Sequence, residues 1–259
     1  MVYRGKKSCI FKPMIDDELR KKIATYQPGE ETIAILRTTP IALVVGISGA
    51  GKDTIVSRLL QTNEYRAVVS HTTRPMRENS GIKEQNGVEY YFITIEEAAE
   101  LIAKKAYIEV KIYNDNIYGT TIDEVLKVHN EGKIALNDVE VQGVAEFVAL
   151  TPTVRPIFIL PPSFEAWQQR LLSRYGDDQQ HNEDIVRRMQ IAESELRFVQ
   201  QAEYFSLVIN DDLNTAIEEV DVLAHTETST PKRAPEAFAL IQTLLDRLAA
   251  VLPTKAPPN

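Results

Sequence analysis

A short apolar run that ends in a glycine-rich turn with a lysine at its far side constrains this chain most. Ile41-Ala42-Leu43-Val44-Val45 is rich in β-branched residues, the pattern of a strand buried on both faces of a parallel sheet. Directly after it, Gly46-Ile47-Ser48-Gly49-Ala50-Gly51-Lys52-Asp53-Thr54 fits GxxxxGK and opens a predicted helix from about Gly51 to Leu60. Glycines let the backbone turn so that successive N–H groups face phosphate oxygens, and the helix N-terminus adds partial positive charge. Lys52 then sets a full charge against the β- and γ-phosphates of a nucleotide. Gly46, Ser48, Gly49, Ala50, Gly51, Lys52, Asp53 and Thr54 are the expected triphosphate cradle. Asp53 stands where a serine or threonine usually follows the lysine, so its carboxylate is expected to face outward and Thr54 to turn its hydroxyl toward Mg²⁺. A chance glycine-rich turn competes with this reading and is weakened by the strand before and the helix after.

Further apolar runs at 67–69, 134–136, 154–160 and 205–209 alternate with helical stretches near 121–131, 141–150, 163–174 and 183–201. Strands alternating with helices predict an α/β fold with a central parallel sheet flanked by helices. Residues 84–120 break the alternation: strand candidates at 89–93 and 106–113 surround one helix at 95–105, which predicts an inserted α+β lobe. Residues 1–40 read as an appendage, with a short helix from Ile15 to Tyr26 ended by Gln27-Pro28-Gly29. After a helix to about Leu223, residues 225–235 read as a linker and 236–251 as a last helix. Its face of Phe238, Ile241, Leu244, Leu245, Leu248 and Val251 is expected to pack on this chain or on a partner.

With 259 residues, 44% hydrophobic and 25% charged, the composition is that of an ordinary globular protein. The single cysteine, Cys9, excludes a disulfide scaffold, and the formal net charge of −8 disfavours nucleic acid or anionic membrane as partner. No apolar run approaches the roughly 20 residues of a membrane span, and the first residues lack the apolar core of a signal peptide, so a cytoplasmic location is expected.

Ser70-His71-Thr72-Thr73-Arg74-Pro75-Met76-Arg77 follows the second predicted strand, where α/β proteins bind ligands beyond the strand ends. Two arginines three apart can clamp one phosphate, and the hydroxyls of Tyr90 and Tyr118 can donate to it. Any one of these alone would equally be a solvated arginine or a core tyrosine. Together with the phosphate loop they resemble the guanylate kinase family of P-loop kinases, which transfer phosphate from ATP to GMP. The likeness covers about residues 41–222. It implies a core at 41–70 and 121–222, a GMP-binding lobe at about 71–120 and a helical lid at about 170–188. It further implies that Ser70, Glu109 and Thr120 read guanine, with Glu140 assisting. Arg74, Arg77, Tyr90 and Tyr118 would hold the GMP phosphate, and Glu84 would brace the arginines. The chemistry agrees: a carboxylate can accept from the guanine N1–H and 2-amino group together, and hydroxyls can donate to O6 or N7.

Asn137-Asp138-Val139-Glu140-Val141-Gln142-Gly143 resembles the family's acidic segment at the end of its Walker B strand, which implies that Asp138 holds Mg²⁺ through water. A helix-capping aspartate is the rival for that position. The run Ile157–Ser163 resembles the strand and turn before the lid, which implies that Arg170, Arg174 and Arg188 reach the ATP phosphates while Arg187 points elsewhere. Asn210 would contact adenine. Taken alone, such a basic helix face is usually just solvated.

The sequence departs from the family pattern in three places. Asp53 is the first. Glu84 stands six residues before Tyr90, yet the usual offset from Arg77 gives Ser80, which implies a four-residue insertion within 78–83. The loop between Arg174 and Arg188 reads as a few residues longer than usual. Two other functions fit less of the pattern. A P-loop kinase for another phosphorylated small molecule, such as a ribose bisphosphate, has no need of the guanine readers. A non-catalytic scaffold domain binding a phosphopeptide typically has a degraded phosphate loop, whereas Gly46, Gly51, Lys52 and Thr54 are intact.

Overall fold

The continuous apolar run becomes a strand at Ile41–Gly46, and its five apolar residues are at most 1% exposed. In the computed structural model, which describes residues 15–79, 82–137, 139, 141–175, 179–226 and 231–252, the elements run as follows. They are α1 (Asp17–Ala24), α2 (Glu30–Leu36), β1 (Ile41–Gly46), α3 (Lys52–Leu59), β2 (Tyr65–Ala67), β3 (His71–Thr72), β4 (Glu78–Asn79) and β5 (Ile82–Lys83). Next come β6 (Tyr91–Phe92), α4 (Ile95–Ala103), β7 (Tyr107–Tyr113), β8 (Asn116–Thr121), α5 (Ile122–Asn130), β9 (Ile134–Asn137) and a 3₁₀ turn at Val141–Gly143. The chain finishes with α6 (Val144–Leu150), β10 (Val154–Leu160), α7 (Phe164–Tyr175), α8 (Gln179–Gln201), β11 (Ser206–Ile209), α9 (Leu213–His225) and α10 (Pro235–Val251). Among the described residues no helix is long and apolar enough to cross a membrane.

The chain divides into two compact units, one of residues up to Gly29 with Val69–Thr121, the other of Glu30–Val68 with the rest. The larger unit is built on a five-stranded sheet in the order β11-β10-β1-β9-β2, every neighbour parallel. β1 is central, so the loop that leaves its carboxyl end lies at the middle of the sheet edge where such folds bind ligands. β2 pairs over Tyr65–Ala67, two residues before the expected strand at 67–69; Tyr65 is 3% exposed and its hydroxyl donates to Asp221 at 2.6 Å, which anchors the strand's start. The predicted helices at 121–131, 141–150, 163–174 and 183–201 correspond to α5, α6, α7 and α8. α8 begins at Gln179, so most of the loop expected between Arg174 and Arg188 is helix. Its buried residues Ile185, Met189, Ala192, Leu196 and Val199 recur at helical spacing and form its inner stripe.

Residues 1–40 are not one appendage. α1 belongs to the smaller unit and α2, which the sequence did not announce, to the larger. The carbonyl of Leu36 at the end of α2 accepts from the hydroxyl of Thr153 at 2.7 Å, which satisfies an orphan group of the last turn. α10 packs on this chain, against α8, α7 and β11, with Ile241, Leu244, Leu245 and Leu248 buried. Its outer residue Val251 stays 48% exposed. Arg233, just before α10, donates to the carbonyls of Val199 and Ala202 at the end of α8.

The smaller unit holds a four-stranded sheet in the order β6-β3-β8-β7, with β3–β6 parallel and the other pairs antiparallel. α4 is closed by a capping box in which the Thr94 hydroxyl accepts from Glu97 N–H and the Glu97 carboxylate accepts from Thr94 N–H. Within 78–83, where a four-residue insertion is expected, Glu78–Asn79 and Ile82–Lys83 pair antiparallel as β4 and β5.

Candidate active site

In the larger unit the phosphate loop joins β1 to α3. Gly51 has φ +100°, a left-handed backbone that L side chains rarely adopt, and a Cβ there would stand 2.1 Å from Asn210 Nδ2. No side chain caps α3, so the partial positive charge of its first turn faces an anion unopposed by a capping group. The carbonyl side of the loop is tied down from α7 and from Asn210 just after β11. Ser48 C=O accepts from Trp167 Nε1 at 2.7 Å. Ala50 C=O accepts from Asn210 Nδ2 at 2.8 Å and from Arg170 at 3.3 Å. Arg188 donates to Ser48 Oγ at 3.3 Å, whereas Arg187 is exposed, as its place on the helix implies.

These contacts change the expected part of one residue. Asn210, expected against adenine, is 4% exposed with its amide committed to the loop backbone, and so braces the cradle. Trp167 and Asn137 were not singled out by the sequence. The only signal for Trp167 was its being the chain's one tryptophan, set three residues after Phe164 opens a helix. Asn137 ends β9 opposite Leu43 of β1, is 2% exposed, and neither its Nδ2 nor its Oδ1 has a partner among the described residues. A polar residue closing an apolar strand beside the phosphate-loop strand was the available signal.

Asp53 is turned outward, its side chain 65% exposed, and its carboxylate pairs with Lys52 Nζ at 2.8 Å. Thr54 is exposed in the first turn of α3. Asp138 and Glu140 lie outside the described residues, as does the side chain of Arg174.

In the smaller unit, β3, β6, β7 and β8 gather the other set. Glu109 on β7 lies opposite Thr120 on β8, and its Oε1 accepts from Thr120 N–H at 3.0 Å and from Thr120 Oγ1 at 2.9 Å. Ser70 Oγ stands 3.1 Å from the same hydroxyl. Thr120 is fully buried and spends its single hydroxyl proton on Glu109, so in the 3.1 Å contact its oxygen accepts from Ser70.

Arg74 and Glu84 form a bidentate pair with both N···O distances 2.8 Å and side chains 8% and 11% exposed. The Arg74 hydrogen bonds hold the Glu84 carboxyl below its ordinary range despite burial, and Glu84 in turn raises Arg74. Glu84 accepts from the backbone N–H of Arg77 at 2.6 Å, while the Arg77 side chain is exposed and acts on Glu84 through its charge. Glu84 N–H donates to Arg77 C=O at 2.9 Å, beside the paired strands β4 and β5, and so holds Glu84 against Arg77 despite the longer offset between them in sequence. Arg74 also lies over the rings of Tyr90 and Phe92, 5.4 and 5.6 Å from their centroids, and Tyr90 meets Tyr118 edge to face at 5.9 Å.

A glycine-rich loop between a central parallel strand and a helix in one unit, and a braced arginine with an oriented carboxylate in the other, define a P-loop kinase fold. Residues 37–227 match the family model for guanylate kinase, and the chain belongs to that family. It is 39% identical over 200 residues to a guanylate kinase of Methylococcus capsulatus, covering 76% of this chain and 94% of the relative. It is 40% identical over 207 residues to that of Neisseria meningitidis serogroup A, covering 80% and 95%. The crystal structure of guanylate kinase from Anaplasma phagocytophilum shares the fold, with a TM-score of 0.52 at 22% identity over 82% of this chain and 97% of that one.

Proposed function

We propose that this chain transfers the γ-phosphoryl group of ATP to GMP, giving ADP and GDP. The observation that carries the acceptor is the Glu109 carboxylate, oriented by two hydrogen bonds from Thr120 beside the Ser70 hydroxyl. Guanine offers N1–H and a 2-amino group side by side to such a carboxylate, whereas adenine offers no such donor pair. Arg74, Arg77, Tyr90 and Tyr118 hold the acceptor phosphate, with Glu84 fixing the guanidinium of Arg74 in its plane.

ATP binds on the other unit, its β- and γ-phosphates against the backbone N–H groups of Gly49–Thr54 and the Lys52 ammonium. Arg170 and Arg188 already reach the loop, and together with Arg174 they neutralise charge on the moving phosphoryl group. An oxygen of the GMP phosphate attacks the γ-phosphorus as the bond to the β–γ bridging oxygen breaks, so no protein side chain becomes a nucleophile.

The oxygen donors available in the larger unit suit a hard divalent cation: the exposed Thr54 hydroxyl and, at the end of β9, the buried Asn137 carboxamide, which has no partner among the described residues. Mg²⁺ bound with ATP would supply charge neutralisation between the β- and γ-phosphates. Thr54, and Asp138 through water, would hold it.

ADP formation by the purified chain with Mg·ATP and, separately, GMP, dGMP, AMP, CMP and UMP tests the reading. Turnover confined to guanine nucleotides and lowered at least about 10³-fold in Lys52→Ala is expected. Equal turnover on AMP, or none on any acceptor, contradicts it.

A further inference from the structure

Resting on that assignment of the guanine readers, we infer that the segment Ile15–Tyr26 positions the β7–β8 hairpin, with Tyr26 as a positioning residue for Glu109. The segment precedes the family-matched span, which begins at residue 37. It is nonetheless part of the core under the guanine readers: Ile15, Leu19 and Ile23 are buried in one cluster with Ala98, Ile102, Tyr107, Val110 and Ile117. Those partners lie on α4, β7 and β8.

The segment grips the hairpin at both ends. At the base, Tyr26 Oη donates to the carbonyl of Tyr107 at 2.7 Å, and the two rings meet edge to face at 6.4 Å. At the tip, Arg20 pairs with Asp115 at 2.8 Å in the two-residue turn Asn114-Asp115, whose φ angles of 47° and 55° are left-handed.

The base is where aim is decided. Tyr107 lies opposite Thr121 and Glu109 opposite Thr120, so two steps along β7 match one along β8 and the register shifts between them. Such a bulge re-aims the side chain that follows it, here Glu109. Behind it the fully buried Tyr107 ring lies so close to Gly119 that a Cβ there would stand 2.7 Å from Tyr107 Cδ1 and 2.7 Å from the Glu109 carbonyl. A displacement of Tyr107 is therefore passed to the backbone on both sides of the Glu109–Thr120 pair. Burial pushes the Tyr26 hydroxyl up to about 12, so it remains a donor throughout the range in which the chain would work.

The full chain and its Tyr26→Phe, Arg20→Ala and doubly substituted forms are compared for KM toward GMP and ATP, and for kcat/KM on GMP against IMP. IMP lacks the 2-amino group, so the GMP:IMP ratio reports the aim of Glu109, which a general loss of stability does not move. In Tyr26→Phe, KM for GMP rises about three- to tenfold, KM for ATP stays within about twofold, and the GMP:IMP ratio falls. Arg20→Ala, at an exposed pair, gives about twofold on GMP in the same direction and serves should Tyr26→Phe not fold. GMP and ATP constants moving together, or an unchanged GMP:IMP ratio alongside a lower Tm, would overturn the inference and leave the segment a stabiliser only. Equilibrium binding of GMP to the same proteins separates the two claims: a wild-type chain that binds no GMP removes the guanine-reader assignment as well.

Discussion

The strand that carries the phosphate loop is buried on both faces and locked between parallel neighbours, whereas β7 and β8, which carry Glu109 and Thr120, pair antiparallel with each other and leave the far end of β7 open to solvent. In the first region the proposed binding group is the backbone itself. Its shape is fixed by Gly51 at φ +100° and by three side chains, Trp167, Arg170 and Asn210, that tie down the carbonyls. In the second region the proposed binding groups are side chains, and other side chains hold them: Thr120 bonds Glu109, and Glu84 bonds Arg74. A backbone cradle tolerates almost no added atom, while a set of paired side chains tolerates shape changes and fails when one charge is removed.

Substitutions can break that contrast. Gly51→Ala places a methyl 2.1 Å from a buried, hydrogen-bonded amide at a left-handed position. It is expected to lower ATP affinity by at least about 30-fold and stability by roughly 2–4 kcal/mol, read by equilibrium binding and thermal unfolding, with GMP affinity unchanged. Glu84→Gln leaves the Arg74 charge without its carboxylate in a nearly dry site, a cost of roughly 2–3 kcal/mol that should appear as loss of GMP binding with ATP binding intact.

The same pair makes a pH prediction. Glu84 titrates below the ordinary carboxylate value of 4.5, chiefly through its hydrogen bonds from Arg74, which stays protonated. Its contribution is therefore fully present above pH 4.5 and is lost as the pH falls through the lowered folded value. Acid titration of the smaller unit's stability should show that loss in the wild type and lack it in Glu84→Gln. The smallest effect belongs to Asp53. Its exposed carboxylate offsets part of the Lys52 charge, so Asp53→Asn should lower KM for ATP about two- to fivefold and leave KM for GMP alone.

The same contrast governs what the sequence made legible. Strands β1, β9, β10 and β11 read as continuous apolar runs because they are buried on both faces, and the phosphate loop read from spacing because glycine is what its backbone requires. The lobe was harder. β8 was not expected as a strand, because Asn116–Thr121 alternates weakly and holds its place by pairing with β7 across the Asn114-Asp115 turn. That two-residue turn between strand-like runs was the overlooked signal. The pairing of β4 with β5 was not legible either, since strands of two residues carry no periodicity. The division of residues 1–40 between the units was hidden because it depends on partners distant in sequence, Tyr107 for Tyr26 and Thr153 for Leu36. The bracing parts of Trp167 and Asn210 were hidden for the same reason: each meets a backbone carbonyl more than a hundred residues away.

The account stands on two nucleotides being read by two separately built regions, and titration of GMP and of ATP into Glu109→Gln tests this most directly. The neutral amide cannot accept both guanine donors and breaks the Thr120 geometry, so GMP affinity should fall by about 10²-fold or more while ATP affinity is retained. Equal loss of both affinities, or undiminished GMP binding, would contradict it.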